Sequence, residues 1–218
     1  MRKIAYVFVF LAVLAGPAVR AAQVDLGISV ADVRLRSFYV AVGDHYRVAP
    51  RAVVDLRSRY RLLDEELPVV YFLAARAHVG PQAVTNLRLG KRSWFDIAVH
   101  FGLSPEIFFV PVHMEKIGPP YGNAYGYYRK HGYAGDWRKI VLADREVVDL
   151  VNLRFMSEYH GLAADEIIVL RGRHKSFVGI HDEIGKGRGQ GKDKGIGKAA
   201  PGKDAKGGPK DKGKKKSG

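Results

Sequence analysis

The chain has 218 residues, a formal net charge of +14 at pH 7 and no cysteine. The lack of cysteine excludes a disulfide framework, a thiolate metal site and a cysteine nucleophile. The length suits one compact domain that is held together by burial. Residues 185–218 contain 12 Lys or Arg and three Asp, a net charge of +9, and residues 1–21 contribute a further +3. Only about +2 of the total is left for residues 22–184. The basic character therefore belongs to the C-terminal segment.

The first 21 residues have the order of regions that a secretory signal peptide has. Arg2 and Lys3 precede an apolar run over residues 4–15, and Pro17 follows that run. A membrane-spanning helix needs about 20 apolar residues, so the pattern favours cleavage, after Ala21 or after the next alanine. The alternative is an uncleaved N-terminal anchor. We expect an exported protein, periplasmic or extracellular, whose mature chain has no membrane-spanning segment.

An internal repetition runs through residues 22–117 and returns in residues 138–184. Four short turns each join two amphipathic runs: Val48-Ala49-Pro50, Val79-Gly80-Pro81, Leu103-Ser104-Pro105 and Leu162-Ala163-Ala164. Three of them precede a Leu-Arg pair, and two also precede a Ser-aromatic pair: Leu56-Arg57, Leu87-Arg88 with Ser93-Trp94, and Leu170-Arg171 with Ser176-Phe177. Because Pro favours the first turn of a helix, each unit is predicted to be a helical hairpin. The predicted fold is mostly α, a compact bundle of degenerate helix-turn-helix hairpins.

Local patterns predict where individual elements begin. Ser93 is expected to cap a helix in a capping box with Asp96, and Asp64 and Asp144 are further N-cap candidates. The almost wholly apolar residues 67–75 predict a central helix. Histidines 45, 78, 100 and 160 are expected near helix C-termini, where the dipole favours a cation. The alternating residues 24–30 predict one short strand.

Two families are similar to fragments of the chain. Residues 93–107, SWFDIAVHFGLSPEI, resemble the first helix and turn of bacterial helix-turn-helix domains, which implies a DNA-reading second helix over residues 105–110. The same segment resembles the middle of a LysM motif, and residues 39–44 resemble its opening strand, which implies binding to N-acetylglucosamine-containing glycans. The whole chain also resembles uncharacterised exported bacterial helical proteins with a Lys/Gly-rich tail, and that resemblance implies no activity.

Residues 118–137 are rich in Gly, Pro and Tyr and are predicted to form a linker between the hairpins. Aromatic rings beside cationic groups suit stacking on sugar rings or bases. The candidate ligand surface consists of Tyr121, Tyr125, Tyr127, Tyr128, Arg129, Tyr133 and Trp137. The alternative is a purely structural linker whose tyrosines pack over the helical core and form hydrogen bonds at their tips.

Residues 185–218 are predicted to be a disordered basic tail, because they hold almost no apolar surface to bury. One interpretation is an electrostatic arm for an anionic cell-envelope polymer or another polyanion, and the other is a solubilising segment that binds nothing specifically. The candidate contacts for a polyanion are Lys210, Lys212, Lys214, Lys215 and Lys216.

No pattern of catalytic residues stands out. The sequence has no HExxH, no G-x-S-x-G and no phosphate-binding GxxxxGK[ST] pattern, so no enzyme activity, metal or cofactor is predicted. The leading hypothesis is non-catalytic binding at the cell envelope. The alternative is a self-associating structural or assembly protein, and an enzyme acting on peptidoglycan or a nucleic-acid binder ranks below both. A hidden enzyme would require a polar pocket that joins His113 or His131 to Glu115 or Asp136.

Overall fold

A computed structural model describes residues 33–132, 135–174 and 176–193. The α-helices of these residues are α1 Val33–Tyr46, α2 Pro50–Tyr60, α3 Leu67–Ala77, α4 Pro81–Leu89, α5 Trp94–His100, α6 Gly122–Tyr127, α7 Asp144–His160, α8 Ala164–Arg173 and α9 Phe177–Asp193. Short 3-10 turns cover Asp64–Glu66, Pro105–Phe108 and Trp137–Lys139, and a π-helix covers Tyr128–Gly132. The described residues contain no strand, which confirms the predicted mostly α fold. The predicted signal peptide and the strand at residues 24–30 lie outside them.

The predicted turns open helices as the repetition indicates. Pro50 begins α2, Pro81 begins α4 and Ala164 begins α8, while Pro105 opens only a 3-10 turn. The fixed φ of proline and its missing N–H cost nothing at the first position of a helix. Three of the four predicted helical hairpins are therefore confirmed, and the one at Pro105 is not formed.

Two serines cap helices: Ser93, which was predicted to do so, and Ser176 of the second Ser-aromatic pair. Of the capping box predicted for Ser93 and Asp96, only the bond accepted by the serine is formed. The Ser93 hydroxyl accepts the Asp96 N–H at 3.0 Å, and the Ser176 hydroxyl accepts the Gly179 N–H at 3.2 Å. Each bond satisfies one of the backbone donors that a helix N-terminus leaves unpaired.

The N-cap predictions for Asp64 and Asp144 are wrong by one residue. The N-caps are Leu63 and Ala143, whose backbone N–H groups donate to the carboxylates of residues 66 and 146 at 2.9 and 2.8 Å. Because those glutamates satisfy the N-cap backbone, the carboxylates of Asp64 and Asp144 remain available to other elements.

The helix that precedes each predicted turn ends in a left-handed residue. Positive φ angles occur at Arg47 (56°), His78 (55°), Gly102 (72°) and Gly161 (62°). This conformation reverses the chain after a helix. Histidines 45, 100 and 160 lie in the last turns of their helices and His78 follows α3 directly, so their predicted positions are confirmed.

Two three-helix units form the centre of the molecule. The first unit comprises α3, α4 and α5, and the second comprises α7, α8 and α9. Helices α3 and α7 pack against each other in the core, and α1 packs against α2 and α9. Residues 67–74 of α3 are all buried, which confirms the predicted central helix.

The structure changes the interpretation of several segments. Residues 39–44, which resemble a LysM strand, belong to helix α1, and the segment expected to be a DNA-reading helix is a 3-10 turn with Phe108 buried. The predicted linker contains α6 and the π-helix, and α9 continues to Asp193, beyond the predicted start of the tail at residue 185. No helix in the described part of the chain is both long and apolar enough to span a membrane.

Candidate functional site

The arginine of the repeated Leu-Arg pair organises the first unit. Arg88 on α4 contacts Glu66 at 2.9 Å and Asp144 at 2.6 Å, and its guanidinium carbon lies 4.5 Å from the centroid of the Trp94 ring. Burial alone would lower the pKa of Arg88, but the hydrogen bonds to Asp144 and Glu66 raise it. Arg88 therefore remains charged and joins three segments.

Arg171 on α8 makes the equivalent contacts in the second unit. Its Nη2 and Nε donate to Asp149 Oδ1 at 3.0 and 3.3 Å, and its guanidinium carbon lies 4.8 Å from the centroid of the Phe177 ring. The side chain of Asp149 is fully buried and that of Arg171 is 4% exposed. The two units thus share one arrangement. The arginine of the second helix pairs with an acidic residue on the first helix or next to it. The same arginine stacks on the aromatic residue at the start of the third helix.

The two units also contact each other reciprocally. The Trp94 N–H of the first unit donates to Asp144 Oδ1 at 2.7 Å, and the Phe177 N–H of the second donates to Glu65 Oε1 at 2.7 Å. Each carboxylate thus sits at the N-terminus of the other unit's third helix, where the helix dipole favours negative charge. These bonds fix the junction between the units.

The remaining Leu-Arg pair, Leu56-Arg57, makes different contacts. Arg57 on α2 pairs with Asp64, and the Tyr39 hydroxyl donates to the same carboxylate at 2.6 Å. The hydrogen bond to Asp64 raises the pKa of Arg57. Burial, followed by the effect of the Asp64 carboxylate, raises the pKa of Tyr39. Asp64 therefore joins α1 and α2 to the start of α3.

A cleft of about 620 Å³ opens at the junction of the two units. We call it the junction cleft. Its apolar lining comes from Leu35, Leu63, Trp94, Val148 and Val178, and its polar lining from Arg34, Asp64, Glu65, Glu66, Arg88, Asp144, Arg145 and Ser176, together with Gly179. A volume of this size fits the range of ligand-binding clefts.

The charged side chains of the junction cleft differ in whether they form ion pairs. Arg88 is paired with two carboxylates and Asp64 is paired with Arg57. Among the described residues, the Glu65 carboxylate accepts only the Phe177 N–H and forms no ion pair. A carboxylate accepts several hydrogen bonds, so Glu65 retains capacity for a cationic or N–H donor in the cleft.

The predicted tyrosine surface is largely part of the core, which corrects that prediction. Tyr121, Tyr125 and Tyr128 are 1–3% exposed, and the Tyr125 hydroxyl donates to the Val110 carbonyl at 2.7 Å. Burial raises the pKa of all three phenols. Tyr125 and Tyr128 pack with each other and with Phe109 in an aromatic cluster.

The remaining members of the predicted surface are dispersed. Trp137 is half-buried against the Tyr128 ring, with 5.9 Å between the ring centroids. Tyr127 is 44% exposed, and Arg129 donates to the Glu115 carbonyl at 2.8 Å. Tyr133 lies outside the described residues, as do the five candidate tail lysines, 210, 212 and 214–216. The described residues of this segment therefore form no open stacking surface.

Neither of the two clefts described for this structure contains His113 or His131 together with Glu115 or Asp136. His113, with a 95% exposed side chain, contacts Asp165 at 3.3 Å beside a smaller cavity of about 310 Å³. The His131 carbonyl accepts the Asp136 N–H, a backbone contact. Among the described residues no group of three or more His, Asp or Glu side chains is placed to hold a metal ion.

No protein-family model, curated protein or solved structure matches the chain. The resemblance to exported bacterial helical proteins remains a prediction. The geometry of the junction cleft is thus the main basis for a functional hypothesis.

Proposed function

We propose that this is an exported, non-catalytic binding protein of the cell envelope. In this proposal the junction cleft receives a segment of a partner protein that presents aliphatic side chains and a Lys or Arg, and the basic tail attaches the protein to an anionic envelope polymer. The observation that carries the proposal is the open apolar cleft with Glu65 at its edge. Export itself is inferred from the N-terminal sequence pattern.

The walls of the junction cleft favour an aliphatic partner. Leu63 is 70% exposed at the cleft, and Leu35, Val148 and Val178 add further apolar surface. Covering apolar surface stabilises a complex by about 25 cal/mol per Å² before the costs of association are subtracted. The exposed Leu63 side chain is therefore a natural contact for a bound apolar residue.

The charge of the junction cleft favours a basic group on the same partner. The Glu65 carboxylate already accepts one backbone N–H at 2.7 Å, and a bound ammonium or guanidinium would supply the ion pair that it lacks among the described residues. Charge-assisted hydrogen bonds are about twice as strong as neutral ones. The cleft thus suits an amphipathic basic segment better than an acidic one.

The tail contributes a second, less specific interaction. Residues 185–218 carry a net charge of +9, and such contacts with a polyanion are screened by salt. The five lysines near the C-terminus, at positions 210, 212 and 214–216, are the proposed contacts. Binding through the tail can therefore be distinguished from binding through the cleft by its dependence on the salt concentration.

Binding to the junction cleft is tested with a fluorescently labelled peptide of alternating Leu and Lys. We expect fluorescence anisotropy to show saturable binding to the mature protein, with weaker binding of a Leu-Glu or a Ser-Lys peptide. Glu65→Gln should weaken binding by about tenfold, because a charge-assisted contact is worth roughly 1.5 kcal/mol. Leu63→Ser should weaken it several-fold, because it removes an apolar contact.

Two matched variants keep this test specific. Glu115→Gln removes an exposed carboxylate outside the junction cleft, and Leu89→Ser removes a leucine that is 60% exposed elsewhere. Both should bind the peptide like the unaltered protein. Equal losses in all four variants, or no binding of the Leu-Lys peptide, would refute cleft recognition.

Attachment by the tail is tested by sedimentation with purified cell wall over a salt series. The mature protein is compared with a chain that ends at Asp193, which keeps all of α9. We expect only the full tail to give retention, and retention to fall as the salt concentration rises. Equal retention of both forms would contradict the role of the tail.

A further inference from the structure

The junction cleft lies where the N-terminal part of the chain joins the described helices. Helix α1 begins at Val33, and the two residues that follow, Arg34 and Leu35, line the cleft. Consecutive Cα atoms are about 3.8 Å apart, so the chain that precedes Val33 starts at the edge of the cleft. Residues 22–32, which lie outside the described residues, are therefore tethered next to it.

Apolar side chains are exposed at this end of the cleft. Val33 is 78% exposed, and Leu63, which lines the cleft, is 70% exposed. Leu35 and Val178 contribute further to the lining. Exposed apolar surface of this kind marks an interaction site, and its cover must itself be apolar.

The sequence directly before α1 supplies such a cover. Residues 24–30 read Val-Asp-Leu-Gly-Ile-Ser-Val, with an aliphatic residue at every second position. In an extended chain these four side chains point to the same side. An extended chain rises by about 3.3 Å per residue, so the connection to Val33 is long enough for the segment to lie along the cleft.

The charges of the segment also suit the cleft. Cleavage of the signal peptide leaves an α-amino group at Ala22 or Gln23, and such a group is mostly protonated at neutral pH. The Glu65 carboxylate, which forms no ion pair among the described residues, offers a partner for this cation. Arg145 contacts Asp149 through Nε at 3.0 Å and is 65% exposed, so its guanidinium has donors left for Asp25.

We propose that residues 22–30 of the mature chain occupy the junction cleft as an intramolecular ligand, which a partner segment must displace. Their aliphatic side chains cover the apolar lining and their α-amino group pairs with Glu65. The role of the α-amino group and the competition with a partner rest on the proposed function. The occupation of the cleft by the aliphatic side chains does not.

The tether determines the size of the effect. A short tether gives an effective concentration in the millimolar range. A segment whose free peptide binds with a Kd of about 0.1 mM thus fills about nine clefts in ten. It lowers the apparent affinity of a competitor about tenfold, because only the open fraction binds.

Occupation of the cleft is tested by NMR on a chain that starts at Ala31, which keeps every described helix. Relative to the mature protein, the amides of Leu63, Glu65 and Phe177 should shift. A synthetic peptide of residues 22–32 should return them saturably towards their positions in the mature protein. The same peptide with Leu26→Ser and Ile28→Ser should bind at least about tenfold more weakly, because it lacks two aliphatic contacts. A peptide with Ser29→Ala, altered between the aliphatic positions, should bind like the unaltered one.

The contact with Glu65 is tested by acetylating the peptide. The acetylated peptide should bind the chain that starts at Ala31 about tenfold more weakly, because a charge-assisted contact is lost. Glu65→Gln in that chain should abolish the difference between the two peptides, and Glu115→Gln should preserve it. Equal binding of both peptides to the unaltered cleft would overturn the placement of the α-amino group.

Competition is measured with the Leu-Lys peptide. It should bind the chain that starts at Ala31 about tenfold more tightly than the mature protein. Leu26→Ser with Ile28→Ser in the mature chain should have the same effect without shortening it. Equal, saturable binding to the mature and the shortened chains would overturn the proposal.

The two proposals fail in different ways. If the 22–32 peptide does not bind, or binds equally well with both serines, intramolecular occupation is refuted whatever the Leu-Lys peptide does. If the 22–32 peptide binds as expected but the Leu-Lys peptide binds neither chain, the occupation stands and the proposed function of the cleft is refuted.

Discussion

The buried pair of Arg171 and Asp149 gives the clearest prediction at the scale of single residues. Arg171→Met leaves the fully buried Asp149 carboxylate with only the Arg145 contact at 3.0 Å. Removing one partner of a buried pair costs about 3 kcal/mol, so the free energy of unfolding should fall by about that amount. Urea denaturation followed by circular dichroism measures it.

A matched surface variant and a double variant control this prediction. Arg51→Met removes an exposed pair with Asp55 at 4.0 Å and should change stability by less than about 0.5 kcal/mol. Adding Asp149→Leu to Arg171→Met should restore much of the lost stability, because the uncompensated carboxylate is gone. Similar small losses in Arg171→Met and Arg51→Met would show that the buried pair is unimportant.

The sequence indicates which residues are special but not what they contact. The repeated Leu-Arg and Ser-aromatic pairs reveal Arg88 and Arg171 as a set. Their acidic partners become evident only once helices pack, because local spacing does not report contacts such as Arg88 with Asp144, 56 residues apart. The contact between His160 and His181, with 3.1 Å between Nε2 and Nδ1, was missed for the same reason, because His160 by itself indicates only a favourable helix terminus.

Helix boundaries give a prediction at the scale of elements. Gly161 follows α7 with φ of 62°, a conformation that costs a residue with a side chain roughly 1 kcal/mol. Gly161→Ala should therefore lower the free energy of unfolding by about 1 kcal/mol. Thermal or urea denaturation provides the measurement.

Gly172, inside α8, provides the control with the opposite expected sign. A Cβ there meets no atom within 4 Å, and alanine is a better helix former than glycine by about 0.8 kcal/mol. Gly172→Ala should stabilise the protein slightly. A stabilising effect of Gly161→Ala would show that α7 does not need the left-handed turn.

The elements that could be predicted are those with local signals. Prolines at helix starts and the capping serines gave the hairpins and their turns. The Gly, Pro and Tyr content of residues 118–137 predicted a loop. The structure instead has short helices there, and Tyr121, Tyr125 and Tyr128 are buried in the core. Tertiary packing overrides local propensity in such a segment.

At the scale of the whole molecule, the two three-helix units create the junction cleft by exchanging contacts at their helix N-termini. Asp144 meets Trp94 and Glu65 meets Phe177, so neither unit forms the cleft alone. The sequence predicts the helical hairpins within these units through their repetition. It does not predict the cleft, because this depends on how the units pack.

The most direct test of the account is an NMR titration of ¹⁵N-labelled mature protein with the Leu-Lys peptide. We predict that the largest amide shifts occur at Leu63, Glu65, Trp94 and Phe177, around the junction cleft. Shifts centred on Tyr121–Trp137, shifts confined to the basic tail, or no saturable shifts would contradict recognition by the cleft.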